Sequence, residues 1–188
     1  MARNIKNLFL QGISGTVGKL LTLTQRPSGK TVLGVKRGRS KKKSTDKQNA
    51  IREQFKLAVK YAQAALEDPI LRPFYKKFAG PDQSAYNMAL SDAMTPPEIK
   101  DVSTVNYLGR VGDTITIRAI DAFKVVAVKV TIRTAVGDLI EEGNAVLQVN
   151  GLDWLYTATV VNEELPGSKI KVTAIDTPAN ATIKEVII

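Results

Sequence analysis

ITIRAID (Ile115–Asp121) and IKVTAID (Ile170–Asp176) decide how this chain reads. In each, apolar residues stand at alternate positions and the stretch closes on Ala-Ile-Asp. Alternation is the period of a strand with one face in a core and one in water. Working outward from Ile99, further segments share the texture: VVAVKVTIR, LIEEGNAVLQV, DWLYTATVV and ATIKEVII, separated by turn residues. With a first strand near Val102 to Tyr107, about seven strands are expected, at the spacing of an all-β sandwich. The Ala-Ile-Asp echo needs no duplication, because two strands of similar burial end in similar turns.

Upstream of Ile99 the pattern changes. LLTLTQ (Leu20–Gln25) and KTVLGVK (Lys30–Lys36) alternate around Arg26-Pro27-Ser28-Gly29, which predicts a β-hairpin with proline at a central turn position and glycine where φ turns positive. Thr45 stands three residues before Gln48, the spacing of a capping box. Behind it Ile51, Phe55, Ala58, Ala62 and Leu66 fall on one helical stripe. Asp68-Pro69 stops that helix and can cap the next, around Phe74 to Phe78. A third helix is expected from about Gln83 to Ala93, broken by Thr95-Pro96-Pro97, and the double proline is the candidate linker. The expected domains are therefore a basic hairpin-and-helix module, 1–95, and a β-sandwich, 96–188, in a two-part α+β chain.

Composition narrows the chemistry. The 188 residues contain neither cysteine nor histidine. Disulfides, thiolate nucleophiles and the commonest general base are absent with them. No apolar run is long enough for a bilayer-spanning helix. The apolar run Leu8-Phe9-Leu10 is too short for the core of a secretory signal, so the expected location is the cytoplasm at synthesis, or a virion or other assembly. Net charge is +9. Residues 1–60 hold fifteen Lys or Arg against Asp46 and Glu53, a balance of +13, while the rest of the chain balances at −4. That asymmetry predicts an acidic partner for the first module.

GISGTVGK (Gly12–Lys19) and SGKT (Ser28–Thr31) suggest a phosphate loop, but the spacing fails. A P-loop needs four residues between its first glycine and Gly-Lys, then Ser or Thr. Gly12 and Gly18 are separated by five residues, and Leu20 stands where the hydroxyl belongs. For Gly29-Lys30-Thr31 the first glycine would have to be residue 24, which is Thr24. Turns are the expected role of these glycines.

The sharpest functional signal is Lys36, Arg37, Arg39, Lys41, Lys42 and Lys43. Such a run is a solvated face, a contact for an acidic protein surface, or a phosphate-neutralising arm for nucleic acid. Residues 1–60 hold two aromatics, Phe9 and Phe55, which argues against a stacking platform for single strands. No recognition helix is identifiable, so DNA binding would be non-specific. Glu141-Glu142 and Glu163-Glu164 are not catalytic pairs, since adjacent strand residues face opposite ways. Asp113, Asp121, Asp176 and Asn180 could gather oxygens for calcium at a sandwich end, although their spacing follows no calcium-loop pattern. Trp154 and Tyr156 share a strand face and are expected in the core. No catalytic residue, cofactor, metal ligand or small-molecule substrate is assigned.

The set ITIRAID, VVAVKVTI, DLIEEGNA, DWLYTAT, PGSKIKVTAID and Asn180 resembles bacterial immunoglobulin-like or fibronectin type III-like domains, over about residues 97–188. The resemblance implies an immunoglobulin-like sandwich and no common activity. Such domains serve as spacers, adhesion modules or decorations on surface proteins and phage virions. This copy lacks the cysteine pair of antibody domains. GISGTVGK, GKTVLGVKRGRSKKKST and the helix that follows resemble an uncharacterised Bacteroidota protein family, in which a similar region often precedes an immunoglobulin-like domain. The resulting expectation is a non-enzymatic structural or assembly protein, a subunit of a phage-like particle or another bacterial assembly, with a protein partner or self-assembly. The alternative is a non-specific nucleic-acid-binding module using segment 36–43.

Overall fold

The computed structural model describes residues 2–4 (backbone), 12–18, 20–35 and 43–188. The chain is α+β and divides into two compact units, Met1–Leu90 and Ser91–Ile188. The division falls inside the third helix, a few residues before Pro96-Pro97.

In the first unit the expected hairpin is β3 (Leu21–Gln25) and β4 (Thr31–Val35), paired antiparallel from Gln25↔Thr31 to Leu21↔Val35. Gly29, at φ +78°, donates its N–H to Arg26 O at 2.9 Å and closes the turn. β1 (Ala2–Asn4) and β2 (Gly15–Val17) extend the hairpin to a sheet of order β1-β4-β3-β2. Gly12, Gly15 and Gly18 all have positive φ with open space around the missing Cβ, as turn glycines do. Asp82 holds the hairpin tip, accepting from Ser28 N at 2.9 Å and Ser28 Oγ at 2.8 Å.

Helix α1 (Asp46–Glu67) begins with the expected capping box: Gln48 N donates to Thr45 Oγ1 and Thr45 N to Gln48 Oε1. Its stripe is covered only in part. Ala58, Ala62 and Ala65 are buried, whereas Ile51 and Phe55, 58% and 47% exposed, are not. α2 (Leu71–Phe78) follows a tight reversal in which Asp68 Oδ1 accepts from Ile70 N and Leu71 N. Tyr75 is buried, and its hydroxyl lies 2.7 Å from that of Tyr61 on α1. α3 (Ala85–Met94) ends before the double proline.

The second unit carries two four-stranded antiparallel sheets. One is ordered β5-β6-β10-β9 and the other β12-β11-β7-β8. Their strands are β5 (Glu98–Ser103), β6 (Thr114–Ile120), β7 (Val125–Arg133), β8 (Leu139–Asn144), β9 (Val146–Leu147), β10 (Asp153–Thr157), β11 (Lys169–Asp176) and β12 (Ala181–Ile187). Two expectations need correction. The first strand lies at 98–103, earlier than 102–107. LIEEGNAVLQV is two strands rather than one, because the chain leaves one sheet after Asn144 and joins the other at Val146. The described strands of this unit are thus eight, not seven.

Both sheets feed one core. Ile115, Ile117, Ala119, Trp154 and Tyr156 come from one, and Val128, Val130, Ile132, Ile170, Val172 and Ala174 from the other. Each fully buried Ile or Val contributes about 1.5–3 kcal/mol relative to exposure, which makes this alternating set the main stabilising element of the unit.

Candidate carboxylate centre and basic segment

β6 and β11, the two echoing stretches, occupy central positions in opposite sheets. Their core-facing rows are Ile115, Ile117, Ala119 and Ile170, Val172, Ala174. Continuing each row by one period of two brings the backbone to Asp121 and Asp176. Strand parity therefore turns both carboxylates inward at the same end of the unit. The third member comes from α3, where Asp92 sits among Met88, Ala89 and Ala93 on the buried stripe. Carboxylate oxygens of Asp92, Asp121 and Asp176 all lie within 4.8 Å of one another. Asp92 and Asp176 are 0% and 2% exposed.

Asn180 organises the turn after β11. Its backbone N–H donates to Asp176 Oδ1 at 2.6 Å, and its side-chain amide donates to Asp176 Oδ2 at 2.8 Å and Asp92 O at 3.2 Å. Between them Ala179 adopts φ +68°, a conformation that ordinarily favours glycine. Asp121 is held through its other oxygen, Oδ2 accepting from Phe123 N at 2.8 Å and Lys124 N at 3.1 Å. Asp121 Oδ1 is buried and accepts no hydrogen bond among the described residues. A cleft of about 190 Å³, lined by Asp121 together with Phe123, Leu152 and Trp154, opens beside it.

Burial pushes the Asp176 carboxyl above its ordinary value, the Asn180 hydrogen bonds oppose that, and the neighbouring Asp121 charge adds to it. Both burial and the neighbouring charge thus favour the protonated form of Asp176. Hard cations take the same oxygen donors, so Asp92, Asp121 and Asp176 are the residues able to hold one.

The sequence placed Asp121, Asp176 and Asn180 together, and they do meet. Asp113 does not join them. It lies before the opposite end of β6, where Oδ2 accepts from Leu108 N at 2.7 Å and Arg110 N at 2.9 Å, and these bonds hold its carboxyl below the usual range. Asp92 was missed because it is distant in sequence and helical. Its signal was an aspartate on an otherwise apolar i, i+3, i+4 stripe.

Glu141 and Glu142 on β8 behave as adjacent strand residues should, whereas Glu163-Glu164 lies in the loop between β10 and β11 and not on a strand. Glu141 points inward, 6% exposed, with Oε2 accepting from Thr159 N at 2.9 Å and Thr159 Oγ1 at 2.8 Å. Glu142 points outward to Lys129 Nζ at 2.5 Å and Thr131 Oγ1 at 3.0 Å. Burial, and then the charge of Glu141, push the Tyr156 phenol upward, as suits a core side chain rather than a proton donor. Trp154 and Tyr156 are core residues.

Of the basic segment, Lys43 is described and exposed; Lys36, Arg37, Arg39, Lys41 and Lys42 lie outside the described residues. α1 adds Lys47, Arg52, Lys56 and Lys60, all exposed. No protein-family model matches the chain, and no curated protein matches it in sequence.

Proposed function

We propose that this is a non-enzymatic structural or assembly protein, a subunit of a phage-like particle or another bacterial assembly, with an immunoglobulin-like sandwich as its second unit. The observation that carries the reading is the pair of strand orders. Lettering β5 to β12 as A, B, C, C′, D, E, F and G turns the sheets into A-B-E-D and G-F-C-C′, the arrangement of immunoglobulin sandwiches. Such a unit supplies a rigid body whose business lies at its surface. The assembly half of the reading is supported by apolar side chains left in water on α1, where Ile51, Phe55 and Leu57 are 58%, 47% and 67% exposed. Light scattering over a concentration series tests it. Association that grows with concentration supports the reading, and a strict monomer at every concentration defeats the self-assembly form of it.

The second reading is non-specific nucleic-acid binding through segment 36–43. It is favoured by the +13 balance of residues 1–60 and by the exposed cations at Lys43, Lys47, Arg52, Lys56 and Lys60. Each neutralised phosphate releases counterions, so binding to random duplex DNA should weaken steeply with salt. Joint replacement of Lys41, Lys42 and Lys43 by Ser should flatten the slope. Absence of binding at low salt leaves the basic segment to an acidic protein partner.

A further inference from the structure

In the first unit a cavity of about 600 Å³ is lined by Leu66 of α1, Arg72 and Lys76 of α2, and Gln83, Ala85 and Tyr86 at the start of α3. Its walls combine two cations with the start of α3. Arg72 stands in the opening turn of α2, whose Ile70 and Leu71 N–H groups are already taken by Asp68 Oδ1, so its guanidinium is left to the cavity. The first turn of α3 contains no acidic residue. Ser84 Oγ accepts from Asn87 N at 3.3 Å, which leaves the Ala85 and Tyr86 N–H groups unused by the cap. Neither Arg72 nor Lys76 forms an ion pair among the described residues. Arg72 and Lys76 are also one turn apart, the spacing that puts two side chains on one helix face.

Two cations thus line one opening, and neither is held in an ion pair among the described residues. Gln83 strengthens the bias: its Oε1 is committed to Gly80 N at 3.1 Å, so the group left to offer is its NH₂ donor. Donors outnumber what the two oxygens of a carboxylate accept well, whereas a phosphoryl group brings three outer oxygens and up to two charges. A phosphoryl group alone would leave most of the cavity empty, and Leu66, Ala79 and the Tyr86 ring give the rest of the wall an apolar character.

We propose that this cavity binds a small phosphate monoester with an aromatic or aliphatic body, its phosphoryl group held by Arg72 and Lys76 and its body against Leu66 and Tyr86. A free monoester and bare inorganic phosphate share the anion chemistry, and the apolar wall distinguishes them. The test is an NMR titration of the full ¹⁵N-labelled chain with phenyl phosphate, inorganic phosphate and phenol. Phenyl phosphate should shift the Ala85 and Tyr86 amides saturably, and bind about tenfold or more tightly than either fragment. Arg72→Gln and Lys76→Gln should each weaken it about tenfold, the scale of one charge-assisted hydrogen bond. Lys77→Gln, on the same helix but outside the cavity, should leave it unchanged. Three outcomes overturn the proposal: no saturable shift up to about 10 mM, a range that already covers very weak binding; equal loss in Lys77→Gln; or inorganic phosphate binding as well as phenyl phosphate. Circular dichroism of each variant separates lost binding from lost fold.

Discussion

Asp121 and Asp176 close the central strands of opposite sheets at one end of the second unit, and their carboxylates converge with that of Asp92. Asp176 is buried and Asp121 only partly so, which makes Asp121 the member most simply replaced. In Asp121→Asn the amide oxygen can still accept from Phe123 N and Lys124 N, while the repulsion on Asp176 disappears. The variant should be more stable than the wild type at pH 7 by about 0.5–1 kcal/mol, the scale of a like-charge contact near a protein surface. Urea denaturation followed by tryptophan fluorescence measures this through Trp154, the single tryptophan of the chain. A loss of stability would mean that the three carboxylates together hold something the fold requires.

The same cluster sets a pH dependence of definite sign. Asp176 has a folded-state pKa raised above the ordinary 3.8, first through burial. Below 3.8 it is protonated in both states and burial carries no charge cost. As pH rises through the raised folded value, its contribution to stability is lost. Asp68, Asp82, Asp113, Glu142 and Asp153 are shifted the other way, chiefly by hydrogen bonds, and their support is lost as pH falls. Wild type minus Asp121→Asn isolates the part of the first effect that comes from the Asp121 charge, since burial and the Asn180 hydrogen bonds act on Asp176 in both chains. That difference should be near zero at pH 3 and should grow in favour of the variant above pH 4.

Much of this was readable in advance, and the parts that were not share a physical cause. Alternation placed Ile115, Ile117, Ile170 and Val172 in the core, and Thr45 with Gln48 fixed the start of α1, because both signals are local. The division of LIEEGNAVLQV between two sheets was not readable. Strand texture is the same on either side of Ala145, and which neighbour accepts the hydrogen bonds is a tertiary matter. Asp92 escaped for the same reason: nothing near it in sequence announces Asp121 or Asp176. The periodicity of Ile51 and Phe55 was visible, but a stripe records amphipathicity and not whether anything covers it.

Two glycines with positive φ should respond differently to a methyl group. Gly109 has φ +86°, and an added Cβ would stand 2.6 Å from the backbone oxygen of Asn162. That backbone is also tied to Gly109 by the Asn162 N–H to Gly109 O bond of 2.8 Å, so relief of the clash would strain the bond. Gly137 has φ +105° and open space. Gly137→Ala should cost about 1 kcal/mol for backbone conformation alone, and Gly109→Ala about 2–3 kcal/mol. Equal costs in thermal denaturation would show that Asn162 yields freely.

The uncovered half of α1 gives the most direct test of assembly. Ile51 and Phe55 contribute little to the described core, so Ile51→Gln with Phe55→Gln should change monomer stability by no more than about 0.5 kcal/mol per site. Ala62, fully buried on the same helix, is the control: Ala62→Leu forces extra volume into packed surroundings and should cost about 1–3 kcal/mol. If α1 is where copies or partners meet, the double variant should keep its fold by circular dichroism and lose concentration-dependent association in light scattering. If association persists undiminished, the exposed stripe is not the contact, and the sheet edges at β2 and β1 become the surfaces to alter next.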